Sequence, residues 1–156
     1  MPFESLEGAQ EAAARLAAVA NLEAIILREL HWTFPENAIP GGLPISIGAG
    51  FALQVGKMEG NIPYRVSAEL AGSVPDHGEF FRLDITYQLV YSVPEVEEFG
   101  ELELEGFGST TVLLMAFPYI RQALQDMGGR AGLPSVLLAP LRLPFGDHDA
   151  QAPSPQ

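Results

Sequence analysis

The chain has 156 residues, with 8 basic against 20 acidic side chains and a formal charge of −12. That length fits one domain, able to bury about 70% of its unfolded surface without a disulfide or structural metal. The acidic balance excludes nucleic acid and anionic membrane as main partners, because both need clustered Lys and Arg. The lack of cysteine excludes thiolate metal sites and Cys nucleophiles.

Nothing approaches the ~18 apolar residues of a membrane span, so no direct membrane insertion is expected. The start, Met-Pro-Phe-Glu-Ser, lacks the basic residues of a secretory signal, and the cytoplasm is the expected location.

In chain order, residues 5–20 are predicted to be a helix. Glu4, Glu7, Glu11 and Arg15 recur at spacings of three and four, with Leu6, Ala9, Ala13, Leu16, Ala17 and Ala20 between them. Ser5 is the candidate N-cap. The apolar face is mostly alanine, so this helix is expected to lie on another surface. Residues 1–22 form a helical arm. Period-two alternation follows. Ile26, Leu30, Trp32 and Phe34 are predicted on one face, with Glu29, His31 and Thr33 on the other. Three prolines and two glycines then crowd Pro35 to Pro44. Three more alternating runs follow: Ile45 to Val55, Tyr64 to Leu70 and Phe81 to Tyr91. They are joined by turns at Glu59-Gly60-Asn61 and Pro75-Asp76-His77-Gly78. Short turns favour antiparallel pairing, and the apolar face needs a helical cover. The expected class is α+β: a four-stranded antiparallel sheet covered on one face by helices, with an extra N-terminal helix.

Residues 94–108 hold six of the twenty acids and read as a solvated acidic loop, with a short fifth strand permitted from Glu101 to Glu105. Residues 109–127 read as a helix capped by Ser109 or Thr110 and ended by Gly128-Gly129, with Pro118 kinking or splitting it. The domain is expected to run from 23 to 145, with a disordered polar tail from 146 to 156.

No catalytic constellation rises above background. His31, His77 and His148 lack metal-ligand spacing, and there is no Gly-x-Ser-x-Gly, phosphate loop or dinucleotide fingerprint. Glu97 and Glu98 lack the alternating Asp and Asn of a calcium loop. No cofactor, metal or catalytic residue is expected, and the reading is not an enzyme. Trp32, Phe34, Phe99 and Phe107 flank the two least regular segments. Each taken alone reads as core; together they suit a surface for exposed hydrophobic chain.

One stretch is more specific. Phe117-Pro118-Tyr119-Ile120-Arg121, then Arg130, Pro134 and Leu138-Ala139-Pro140, resembles the SecB family of protein-export chaperones. The strand pattern and the Pro-rich crossover after the first strand are also similar, over roughly residues 24–145. The resemblance implies a cytoplasmic homotetramer, a dimer of dimers, that binds unfolded polypeptides without ATP. It implies a client groove containing Trp32, Phe34, Ile39 and Leu43, with Leu113 and Met115 as further candidates. It also implies docking of the SecA motor on sheet acids, here Glu29 and Asp84. The family's second C-terminal helix has no counterpart beyond Leu143-Pro144-Phe145-Gly146, and the helix at 5–20 is additional. Two alternatives stand beside the export holdase: a dedicated SecB-like chaperone of one partner such as an antitoxin, and a non-catalytic oligomeric interaction module.

Overall fold

The computed structural model describes residues 6–34, 45–76 and 78–133. Ser5, most of the Pro-rich crossover with Ile39 and Leu43, His77, the Leu-Ala-Pro stretch and the tail from 146 to 156 lie outside the described residues.

Helix α1 (Leu6–Val19) leads directly into β1 (Asn21–Thr33). Strands β2 (Ser46–Val55), β3 (Asn61–Val74) and β4 (Gly78–Ser92) follow. The sheet order is β1-β4-β3-β2, antiparallel at each pairing. The first two strands therefore form opposite edges, and residues 34–45 connect one edge to the other. The tight β2–β3 turn places Gly60 at φ 72, while Asp76 and Gly78 adopt left-handed values at the β3–β4 turn.

Alternation divides each strand between two faces. Tyr64, Val66, Ala68 and Leu70 of β3 and Phe81, Leu83, Ile85 and Leu89 of β4 are buried on the inner face. Arg65, Ser67 and Glu69 pair on the outer face with Gln88, Thr86 and Asp84. β1 breaks the simple alternation. Its register against β4 shifts between Leu22 and Ala24 and again between Leu27 and Glu29. Each shift inserts one residue and reverses the facing of what precedes it. Ile26 thus pairs with Gln88 on the outer face, whereas Leu30 and Trp32 pair with Ile85 and Leu83 on the inner face. The expected single face for Ile26, Leu30, Trp32 and Phe34 is corrected by that bulge.

The acidic segment is also corrected. It is neither loop nor strand: a 3-10 turn at Val96–Glu98 leads into helix α2 (Glu101–Phe107). Leu104 and Phe107, three residues apart, are buried on one helical face. The apolar alternation from Glu101 to Glu105 is shorter than the helical repeat that continues it. Glu103 organises the start: one carboxylate oxygen accepts the Gly100 N–H at 2.9 Å, and the other accepts Arg15 Nη1 of α1 at 2.8 Å.

Ser109 and Thr110 are not caps. A π-helical turn at Gly108–Val112 joins α2 to helix α3 (Leu113–Arg130) without a break. Thr110 Oγ1 instead donates back to the Gly106 carbonyl at 2.8 Å. The predicted split at Pro118 is absent, and α3 passes through it. The helix ends later than Gly128-Gly129 suggested. Gly132 (φ 75) takes the left-handed position, and the N–H groups of Leu133 and Gly132 bond the carbonyls of Gly128 and Gly129.

The alanine face of α1 does have a surface to meet. Ala9, Ala13 and Leu16 are buried. A side chain on Gly106 would lie 2.7 Å from the Ala9 carbonyl oxygen and 3.0 Å from Ala12 Cβ. The missing side chain is what lets α1 and α2 approach so closely. Gly106→Val is expected to cost about 1–3 kcal/mol, because the obstruction is largely backbone. Amide hydrogen exchange should show protection lost first in residues 9–16, and unchanged protection there would contradict this packing.

Two buried phenols make the fold sensitive to base. Burial raises Tyr64, with Tyr91 a smaller cause, and burial pushes Tyr91 up to about 12. Tyr64 donates to the Leu104 carbonyl at 2.8 Å. Both folded values exceed the unfolded value near 10. The unfolded chain therefore loses protons first, and stability present below pH ~10 falls as pH rises through ~12. Chemical denaturation at pH 8 and pH 11 should show the drop. Tyr91→Phe should reduce it without unfolding the protein, since the Tyr91 hydroxyl has no hydrogen-bond partner among the described residues.

Candidate functional site

Trp32 and Phe34 sit where β1 ends, at one end of the sheet. Neither is fully buried. Trp32 stacks on Phe81, centroids 5.0 Å apart and planes 22° apart, and Phe34 lies 6.2 Å from Trp32. Phe80 meets Phe81 edge to face at 5.0 Å and Phe34 at 6.4 Å. These four rings make an aromatic cluster with two members held inside and two reaching the surface.

Backbone geometry builds this cluster. Gly72 pairs with Phe81 across the β3–β4 ladder, but Ser73 pairs with Glu79, so Phe80 is an inserted residue. The insertion lets consecutive phenylalanines both be buried. Gly72 has no side chain, and the Phe81 ring occupies its place: a Cβ there would lie 2.0 Å from Phe81 Cε1. An open pocket of about 220 Å3 beside the rings is lined by Thr33, Glu79, Phe80, Phe81 and Arg82.

A second apolar surface lies along the inner face of β1. Leu27 and Leu30 point to the helical side yet are 48% and 40% exposed. Leu27 pairs with Tyr87, whose ring is 5.9 Å from that of Tyr119 on α3. One turn earlier on α3, Met115 is 41% exposed, with Leu114 beside it. Leu113 is only 8% exposed and packs into the core. Phe99 and Phe107 are likewise buried, so the aromatics flanking the acidic segment belong to the core, not to a surface.

Glu29 and Asp84 lie on the outer sheet face, close but not opposite: Glu29 pairs with Thr86, and His31 with Asp84. Arg82 occupies the middle of the acids, 3.2 Å from Glu69, 3.5 Å from Glu79 and 3.4 Å from Asp84. Asp84, then Glu79 and Glu69, hold the guanidinium still more firmly protonated. Among the described residues no group of three or more His, Asp or Glu side chains is placed to hold a metal ion.

Sequence reading missed Phe80, Phe81, Leu27 and Tyr87 as neighbours of the site. The adjacent Phe80-Phe81 pair was a usable signal, because two large apolar residues in succession violate strand alternation and call for a bulge. Leu27 gave no such signal, since its facing depends on the bulges of β1.

An open, four-stranded antiparallel sheet with one helical layer and a half-exposed aromatic end defines the class: a small α+β scaffold that leaves apolar side chains at its surface. No family model and no curated protein matches the sequence. Among solved structures, the chain is similar to the SecB-like chaperone Rv1957 of Mycobacterium tuberculosis, solved in complex with a ChAD peptide from the Rv1956 HigA1 antitoxin. The TM-score is 0.77 at 24% identity, over 85% of this chain and 98% of that one. This likeness establishes the fold as SecB-like. A Streptococcus agalactiae protein of unknown function also aligns, at 16% identity over 76% of this chain and 95% of that one, with a TM-score of 0.35. No helix among the described residues is long and apolar enough to cross a membrane.

Proposed function

We propose that this protein is an ATP-independent chaperone that holds unfolded polypeptides. The observation that carries the reading is the aromatic end of the sheet, where Trp32 and Phe34 remain partly open although stacked on buried rings. A client side chain covering them would leave water at roughly 25 cal/mol per Å2 of apolar surface. Gains of this kind are non-directional, so many sequences can bind. The family resemblance adds Ile39 and Leu43 to the proposed client surface, and the exposed Met115 of α3, unlike the buried Leu113, is free to join it. The −12 charge keeps the loaded particle soluble.

We further propose a cytoplasmic homotetramer, a dimer of dimers, in which the exposed row of Leu27, Leu30 and Tyr119 is covered by neighbouring copies. Glu29 and Asp84 are the acids that a basic SecA segment would meet. Salt should weaken that docking, because both acids face solvent on the outer sheet face.

A second reading is a dedicated chaperone of one partner such as an antitoxin. It is supported by the fold likeness to a chaperone whose solved complex contains an antitoxin peptide. The breadth of clients captured in a pull-down separates the two.

Light scattering of a chemically denatured protein diluted into buffer tests the holdase itself. Aggregation should be suppressed at about one assembled particle per client. Undiminished scattering at that ratio would reject the function, and a stable monomer in a solution mass measurement would reject the tetramer.

A further inference from the structure

The outer sheet face reverses its charge along the strands. Asp84 and Glu69 form one cross-strand row. Four residues away along β3, roughly 13 Å at ~3.3 Å per residue, the row is Gln54, Arg65 and Gln88. Arg28 reaches the same place from β1, with its Nε donating to Gln88 Oε1 at 2.5 Å.

Three of the described cations are already engaged. Arg15 is engaged by Glu103, Arg82 by three carboxylates, and Lys57 donates to the Phe99 carbonyl at 2.7 Å. Arg28 and Arg65 are exposed and have no carboxylate partner among the described residues. Beside Arg65 lies an open pocket of about 270 Å3, lined by Gln54, Val55, Gly56, Pro63, Arg65 and Gln88. Pro63, which shares the outer face with Arg65, is its apolar member, and Arg65, Gln54 and Gln88 contribute a guanidinium and two amides.

We propose that this row is a docking site for an acidic polypeptide segment, one in which a carboxylate sits beside an apolar side chain. The carboxylate lies against Arg65, with Gln54 and Gln88 as amide donors and Arg28 completing the cationic edge. The apolar neighbour rests on Pro63. A planar guanidinium suits a carboxylate in two-point contact. Glu29 follows Arg28 on the same face, so Arg65, farther from that carboxylate, is the main contact, and the acids beyond are screened by salt past ~8 Å. The acids at Glu69 and Asp84 then orient the segment, since its acidic end is repelled from that half of the face. This site lies on the opposite side of the sheet from the Leu27–Tyr119 row, away from the aromatic end, and does not depend on the chaperone reading.

The test is fluorescence anisotropy of the full chain with a labelled peptide of alternating Glu and Val, against the same peptide with Gln for Glu. The Glu peptide should bind roughly tenfold more tightly at low salt. Arg65→Ser and Arg28→Ser should each weaken it about five- to tenfold, leave the Gln peptide unchanged, and leave aggregation suppression unchanged. Circular dichroism confirms that these surface variants fold. Gln54→Ala gives a second, charge-neutral variant with a smaller loss expected. Equal binding of the two peptides, or Glu-peptide binding unaffected by Arg65→Ser, overturns the proposal. So does loss of self-association in Arg65→Ser during sedimentation, which would assign the row to a second copy. Displacement of the peptide by a DNA oligonucleotide would assign it to nucleic acid and overturn the proposal equally.

Discussion

Gly72→Val should be the most damaging single substitution at the aromatic end, costing about 2–6 kcal/mol and lowering the melting temperature by on the order of 4–24 °C. The valine Cβ would lie 2.0 Å from Phe81 Cε1, so the ring has to leave its place. Phe81 is 2% exposed, with Trp32 stacked on one side and Phe80 edge-on at another. The ring therefore cannot swing aside without breaking both contacts. Overpacking of a close-packed core costs about 1–3 kcal/mol, and each lost aromatic pair about 0.5–1.5 kcal/mol more. For a chain of this length each kcal/mol moves the midpoint by roughly 2–4 °C. Trp32 is the sole tryptophan, so its emission reports the same event: the maximum should shift to the red as the stack opens. Unchanged melting and emission would show that Phe81 has room to move, and the described packing would be wrong.

Removing the two surface rings together, Trp32→Ser with Phe34→Ser, is expected to abolish most aggregation suppression while the protein stays folded. Both side chains are partly exposed, so truncation forfeits only part of the 3–5 kcal/mol typical of a fully buried aromatic. Phe80 and Phe81 remain beneath, and the buried face of β3 and β4 is untouched. The apolar area offered to a client falls sharply. Circular dichroism and scattering must be measured on the same sample. Loss of suppression with native ellipticity supports a client surface, loss of both assigns the rings to the core, and retained suppression places clients elsewhere.

The strand pattern was legible because β2, β3 and β4 alternate cleanly between a helical layer and solvent. What alternation could not convey was where one residue too many enters a strand. The bulge between Leu27 and Glu29 in β1 turned Ile26 outward, and another, beside Gly72, made adjacent phenylalanines neighbours of Trp32. Bulges are set by pairing with a distant strand, not by local propensity. The acidic helix was hidden for a related reason. Its buried face shows only when Leu104 and Phe107 are set against α1, and Gly106, ordinarily a poor helix residue, is favoured there by the close approach of Ala9.

The order of residues alone determined an acidic, cysteine-free α+β domain with an antiparallel sheet, because composition, turn residues and apolar period are local properties. Tertiary structure alone decided which aromatics stay wet. Phe99 and Phe107 are sealed by the packing of helices, whereas Trp32 and Phe34 lie where β1 runs out at the rim of the sheet. Burial is a property of what packs around a side chain, and a linear pattern does not contain those neighbours.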